Sequence, residues 1–200
     1  GFNNIIQVLH IAGAVFQVGA NSGDVASLGT LTNSTSKGLS DVAYAYDNSA
    51  SAVDSSAVST LTSIAAGTLT ISVAGGTAAI DLGDIKAASS GEERMGQVVE
   101  AINRKSSDTG VTAFLTKNDS GTYSFDLMSS KLDSAGDATV ITTTGFALAT
   151  TGIAAGALAS TINATNTTTD ALGIDTLTVD TQRNAWVAIK KIDAAINQVN

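Results

Sequence analysis

The chain has 200 residues, a formal net charge of −8 at pH 7, and neither cysteine nor proline. Its length suffices for one large domain or two small ones with real cores. The acidic balance disfavours nucleic-acid binding, which needs a basic face, and the lack of cysteine excludes disulfides and thiolate metal sites.

Two short motifs lie near the N-terminus. Phe2, Asn3 and Asn4 are followed by the hydrophobic pair Val8 and Leu9. A hexapeptide then follows, formed by Phe16, Gln17, Val18, Gly19, Ala20 and Asn21. Residues 28–67 and 148–172 have no secure assignment, although Val42, Tyr44 and Tyr46 form a short alternation in the first of these stretches.

Residues 68–128 carry the clearest pattern, which predicts a ββαββ unit. Two alternating runs form the first hairpin, at Leu69, Ile71 and Val73 and, after a turn at Gly75 and Gly76, at Ala78, Ile80 and Leu82. Two further runs form the second hairpin, at Val111, Ala113 and Leu115 and, after a turn at residues 118–121, at Tyr123, Phe125 and Leu127. Period-two alternation predicts strands with one buried face.

Between the hairpins, apolar residues at helical spacing predict an amphipathic helix. They are Met95, Val98, Val99 and Ile102. Ser90 is the expected N-cap, with Glu92 and Glu93 in the first turn and Arg104 and Lys105 in the last, so all four charges complement the helix dipole. We expect this helix to cover one face of a single antiparallel sheet.

The last predicted element is a helix over residues 181–200. Asp180 and Thr181 indicate its start, and no glycine or proline stops it before Asn200. Apolar side chains recur as in the heptad seam of a coiled coil, which requires a partner helix. The seam residues are Ala185, Ile189, Ile192, Ile196 and Val199. We expect the chain to be part of a longer one, and the seam to lie beside residues 2–9.

These motifs resemble bacterial flagellins. The helix that begins near Asp180 looks like the start of the flagellin C-terminal core helix, and the hexapeptide from Phe16 to Asn21 resembles the segment that enters the core-domain β-hairpin. The motifs at Phe2 and Val8 are similar to the family's phenylalanine-asparagine loop and its following hydrophobic pair. The chain departs from the family at His10, where flagellins usually turn with aspartate-glycine. The ββαββ unit resembles a repeat of flagellin variable domains and of the filament-cap protein.

The resemblance implies an α+β fold in two parts. Residues 1–25 and 175–200 would form a partial helical coiled-coil core with a β-hairpin. Residues 26–174 would form an inserted, mainly antiparallel β outer domain that contains the ββαββ unit at residues 68–128.

The residues give no support for an enzyme or a cofactor. His10 is the single histidine, so a two-histidine zinc site is excluded for these residues, and we interpret it as a turn residue. The carboxylate pairs Asp81/Asp84 and Glu92/Glu93 are interpreted as loop and helix-start charges. No stretch approaches the apolar length of a membrane helix.

The resemblance implies an extracellular structural subunit of the flagellar filament, with the inserted domain exposed as an antigenic region. The implied partners are other flagellin subunits and host immune receptors or antibodies, with no nucleic acid and no membrane. One alternative is a hook-filament junction or filament-cap protein, over which the hexapeptide favours flagellin. Another is a surface module that binds glycan or a host receptor, which the low aromatic content of 4% disfavours.

Overall fold

The computed structural model describes residues 14–17, 25–28, 42–48, 53–73, 78–136, 138–154 and 173–199. The strands are β1 Ala14–Gln17, β2 Val25–Leu28, β3 Ala45–Asn48, β4 Thr70–Val73, β5 Ile80–Asp81, β6 Val111–Lys117, β7 Tyr123–Ser129 and β8 Ile141–Thr144. The α-helices are α1 Gly91–Arg104, α2 Ser106–Thr109, α3 Leu148–Thr151 and α4 Gln182–Val199. Short 3-10 turns lie at Ser55–Ala57 and Ile174–Thr176. The fold is α+β, as the sequence predicts.

Near the N-terminus, β1 and β2 form an antiparallel hairpin, with Phe16 opposite Ala26 and Gln17 opposite Val25. A hairpin therefore lies where the hexapeptide predicts one. The motifs of residues 2–9, His10 and the remainder of the hexapeptide, residues 18–21, lie outside the described residues.

All five elements of the predicted ββαββ unit are present, as β4, β5, α1, β6 and β7. The predicted N-cap is confirmed, because the Ser90 hydroxyl accepts a hydrogen bond of 3.1 Å from the backbone N–H of Glu93. The second strand is shorter than the sequence predicts, since β5 spans only Ile80–Asp81. The expected turn at residues 75–76 lies outside the described residues.

The expectation of a single sheet is wrong. The two hairpins belong to separate antiparallel sheets, with strand orders β5-β4-β8 and β3-β7-β6. Each hairpin gains a third strand from outside the ββαββ unit, so that Val73 of β4 lies opposite Ile141 of β8, and Ser129 of β7 lies opposite Ala45 of β3. Alternation in a sequence assigns the two faces of a strand but leaves the neighbour at its open edge unspecified.

One hydrophobic core joins the two sheets through α1. The apolar face of α1 is buried, with Met95, Val98 and Ile102 each at 0% exposure and Val99 half-buried. It packs in the same cluster as Ile71 of β4 and Phe125 of β7. Burying side chains of this size stabilises by roughly 1.5–3 kcal/mol each relative to leaving them exposed, so α1 is the central support of the domain.

The start of α1 is enclosed by the segment of residues 53–69. A Cβ atom on Gly91 would lie 1.9 Å from the carbonyl oxygen of Ser55, so the backbones approach too closely for any other residue. Arg94 is completely buried, and its Nη2 donates a hydrogen bond of 2.9 Å to the carbonyl of Leu61. Burial lowers the pKa of Arg94, since the charged guanidinium is desolvated. These contacts fix the segment over the helix.

Candidate functional site

The C-terminal helix α4 packs on the face of the β3-β7-β6 sheet that is turned away from α1. Val187 of α4 is buried in a small cluster with Tyr44 and Met128. The Trp186 ring meets the Tyr44 ring edge-on, with centroids 5.7 Å apart and an interplanar angle of 69°. This sheet is therefore covered by a helix on each face.

Two cations add to the contact around these rings. The guanidinium of Arg183 lies 5.2 Å from the centroid of Tyr46, and the Lys190 ammonium lies 5.5 Å from the centroid of Trp186. Cation–π contacts at exposed sites stabilise by about 0.5–1 kcal/mol each. The first half of α4 is thus anchored by aromatic packing.

The start of α4 is capped as the sequence predicts. The Thr181 hydroxyl accepts a hydrogen bond of 3.0 Å from the N–H of Asn184, whose side-chain amide donates to Asp180 over 2.7 Å. The hydrogen bond from Asn184 lowers the pKa of the Asp180 carboxyl. A capped, negatively charged N-terminus complements the helix dipole.

A buried lysine connects α4 to the segment before it. Lys191 is only 1% exposed, and its Nζ donates a hydrogen bond of 3.2 Å to the Thr176 hydroxyl. This contact holds the 3-10 turn Ile174–Thr176 against the helix. The aliphatic part of the Lys191 side chain lies on the buried face of α4, with Val187, Ala188 and Ala195.

The predicted seam lies on a separate, exposed face of α4. The exposed fractions are 60% for Ile189, 44% for Ile192, 54% for Ile196 and 61% for Val199, whereas Ala185 is half-buried. We call the four exposed side chains the apolar stripe. Residues 2–9, expected beside it, lie outside the described residues, so the pairing of the seam stays a prediction.

Three of the four carboxylates of the pairs Asp81/Asp84 and Glu92/Glu93 bind neighbouring backbone or side-chain groups, namely Asp81, Glu92 and Glu93. Asp81 accepts hydrogen bonds from the N–H groups of Gly67 and Gly83, which lower its pKa. Glu92 forms an ion pair of 3.2 Å with Lys117. Within the described ranges, there is no group of three or more histidine, cysteine, aspartate or glutamate side chains that could hold a metal ion.

A groove of about 560 Å³ lies between the β6–β7 hairpin and the start of α4. Both charge signs line it, with Lys117 and Arg183 against Asp126 and Asp180. Such a balanced lining provides no field that would select an anion or a cation. Of the helices that the structure describes, none has the length and apolar character needed to cross a membrane.

The sequence did not reveal the aromatic contact between α4 and β3. The alternation at Val42, Tyr44 and Tyr46 was the available signal, since it indicated a strand with aromatic residues on one face. No pattern connected that strand with Trp186, because the contact spans most of the chain. Lys191 was also missed, as a lysine in a helix is normally solvated.

Comparison with known proteins gives one family match. Residues 68–131 match the family model described as the flagellin hook IN motif. This range contains β4, β5, α1, β6 and β7, the five elements of the ββαββ unit. No curated protein matches the chain.

Two solved structures are similar in part. The flagellar cap protein FliD of Escherichia coli, as its D1-D2-D3 domains, has 20% identity and a TM-score of 0.35, covering 53% of this chain and 28% of that one. FliD (HAP2) of Pseudomonas aeruginosa PAO1 has 23% identity and a TM-score of 0.28, covering 57% and 52%. The chain thus spans about half or less of the length of these two chains. The match to the flagellin hook IN motif thus supports a relation to flagellar proteins for residues 68–131.

Proposed function

We propose that the chain is part of a structural subunit of the bacterial flagellar filament, with its inserted domain exposed on the filament surface. The observation that carries this proposal is the apolar stripe of α4. Ile189, Ile192, Ile196 and Val199 are all more than two-fifths exposed on a helix whose other face is anchored. Their heptad spacing is typical of a helix that packs along another helix.

In this proposal, α4 has two separate roles. Its Trp186 and Val187 face holds the outer domain, while the stripe packs on helices of the filament core. The outer domain is thereby fixed to the core through a helix that both share. Residues 1–25 and 175–200 belong to the core, and residues 26–174 form the inserted domain.

The end motifs support a filament subunit, because the hexapeptide from Phe16 to Asn21 and the heptad helix resemble those of flagellins. The flagellin hook IN motif at residues 68–131 supports a flagellar protein of any kind. A hook-filament junction or cap protein is therefore the second candidate. Both candidates are extracellular structural proteins whose partners are flagellar subunits, with host antibodies reaching the exposed domain.

Immunogold electron microscopy distinguishes these candidates. Antibodies raised against residues 53–154 should label flagella of the source bacterium along the whole shaft if the chain belongs to the filament subunit. Labelling confined to the tip identifies a cap protein, and labelling confined to the base identifies a junction protein. Flagella that remain unlabelled in a strain that expresses the protein would contradict the proposal, with pre-immune serum as the control.

A further inference from the structure

Strand β6 lies at an edge of the β3-β7-β6 sheet, because it pairs only with β7 within the described residues. In an antiparallel pair, alternate residues point their backbone groups toward the partner and away from it. Val111, Ala113, Leu115 and Lys117 point theirs away from β7, since the outward groups of Ala113 are bonded elsewhere. Such a row of outward groups is a template for another strand.

A side chain of α1 covers the middle of this row. The Asn103 amide donates to the carbonyl of Ala113 over 2.9 Å, and its oxygen accepts from the N–H of Ala113 over 2.7 Å. A paired strand residue makes the same donor and acceptor contacts. The primary amide of asparagine has both groups in one plane, so it reproduces them.

A second side chain covers the start of the row. The Thr109 hydroxyl accepts a hydrogen bond of 3.0 Å from the N–H of Val111 and donates one of 3.0 Å to the carbonyl of Lys105. Thr109 is itself only 1% exposed, so its hydroxyl is fixed in place. Within the described residues, the outward groups without such a cover are the carbonyl of Val111 and the groups of Leu115 and Lys117, and Lys117 carries a charge.

We propose that Asn103 is a strand mimic that prevents β6 from pairing with the β6 strand of a second copy of this chain. A second copy is the matching occupant, since antiparallel self-pairing joins two identical edges about a twofold axis. Full pairing of two seven-residue strands needs Ala113, the second of the four outward residues, to be open. Leu115 and Lys117, the two outward residues beyond Ala113, are too few for a stable ladder. This inference does not depend on the proposed function.

The test compares Asn103→Ala with the parent chain by sedimentation equilibrium over a range of concentrations. We expect the variant to self-associate at least tenfold more tightly, because the outward groups of Ala113 become available. Asn118→Ala is the matched control, since it also removes an asparagine hydrogen bond, from Asn118 Nδ2 to the Thr122 hydroxyl, but at the hairpin tip. The control should behave as the parent does.

A second change identifies the surface. Leu115→Pro removes an N–H that points away from β7, and proline is tolerated at such edge positions. Added to Asn103→Ala, it should restore the self-association of the parent, provided that Leu115→Pro alone still melts cooperatively. Self-association that persists in a folded double variant overturns the proposal, because another surface is then responsible.

An effect of the Asn103 variants on folding must be distinguished from an effect on the self-pairing of β6. Asn103→Ser is a second variant, whose shorter side chain cannot reach both backbone groups of Ala113. A folded Asn103→Ala or Asn103→Ser that associates no more than the parent overturns the proposal. If both variants lose the cooperative melt seen by circular dichroism, Asn103 is required to hold β6 on α1, and the proposal of a specific edge block is again overturned.

Discussion

The helices α1 and α4 are both amphipathic and capped, yet the residues with regular apolar spacing are buried in α1 and exposed in α4. In α1, Met95, Val98 and Ile102 are completely buried between two sheets. In α4 the residues with the most regular apolar spacing are exposed, and Trp186 and Val187 provide the packing instead. Periodicity therefore identifies a face that prefers burial, but it does not identify what buries that face.

The largest expected effect is at the centre of α1. Ile102→Asp should destabilise the domain by about 3–5 kcal/mol, because it places an unpaired charge where exposure is 0%. Urea unfolding followed by circular dichroism measures the change in the free energy of unfolding. A loss below about 1 kcal/mol would mean that α1 is not the central support.

Detachment of α4 should have a smaller and more local effect. Trp186→Ala should weaken the docking of α4 by roughly 1–3 kcal/mol, since it removes the edge-on contact with Tyr44. Hydrogen exchange in residues 182–199 should accelerate, while the α1 core keeps its protection. Trp186→Phe, which retains a ring, is the control. Equal acceleration in α1 would show that the two helices unfold as one unit.

The two N-caps provide a matched pair. Ser90→Ala and Thr181→Ala each remove one cap hydrogen bond, which costs about 1 kcal/mol. The first change should lower the free energy of unfolding of the whole domain, because α1 is part of the core. The second should accelerate exchange only in α4. A global loss of stability in Thr181→Ala together with a purely local effect of Ser90→Ala would show that α4, and not α1, is the central support.

Acid should weaken the start of α1 through protonation of Glu93, and a substitution of Glu93 should remove this effect. The side chain and N–H of Ser89 hold the pKa of Glu93 below its ordinary value of 4.5. A lowered folded pKa means that this stabilisation is present above about pH 4.5 and is lost as the pH falls through the folded value. Glu93→Gln should therefore flatten the fall in melting temperature between pH 5 and 3, about the range of carboxyl titration. An unchanged profile would exclude Glu93 as a cause.

The smallest expected effect is in the apolar stripe. If the stripe packs on other subunits, as proposed, and not on residues 2–9, Ile192→Asp should change the free energy of unfolding by no more than about 0.5 kcal/mol, since Ile192 is 44% exposed. The same substitution at Ile102 is the buried counterpart. A loss of about 2 kcal/mol or more at Ile192 would show that the stripe is covered by another part of the chain.

The sequence predicts local elements well and long-range contacts poorly. Alternation at Tyr123, Phe125 and Leu127 and the cap at Ser90 located β7 and α1, because these signals lie within a few residues. The pairing of β3 with β7 and of β4 with β8 depends on strands about 70–80 residues apart in the chain. No short-range pattern specifies such pairs, which explains why two sheets were expected to be one.

The candidate site was predictable to the same degree. The heptad spacing selects Ile189, Ile192, Ile196 and Val199, whose packing as a seam stays a prediction, whereas the side of α4 that docks on the sheet was missed. That side is formed by Trp186 and Val187 with the lysine Lys191, a combination of types that hydrophobic spacing does not select. The contact with Tyr44 decides which side of α4 docks on the sheet, and Tyr44 is far from α4 in the sequence.

The turn between β6 and β7 has a practical consequence. It is closed by a hydrogen bond of 2.8 Å from the N–H of Gly121 to the carbonyl of Asn118, and a Cβ atom on Gly121 would have no neighbour within 4 Å. Lengthening an exposed loop is inexpensive, at about 0.6 kcal/mol for each doubling. A foreign peptide inserted after Asp119 would therefore project into open solvent without disturbing either helix. The turn offers a position for displaying an epitope or a fluorescent tag on this scaffold.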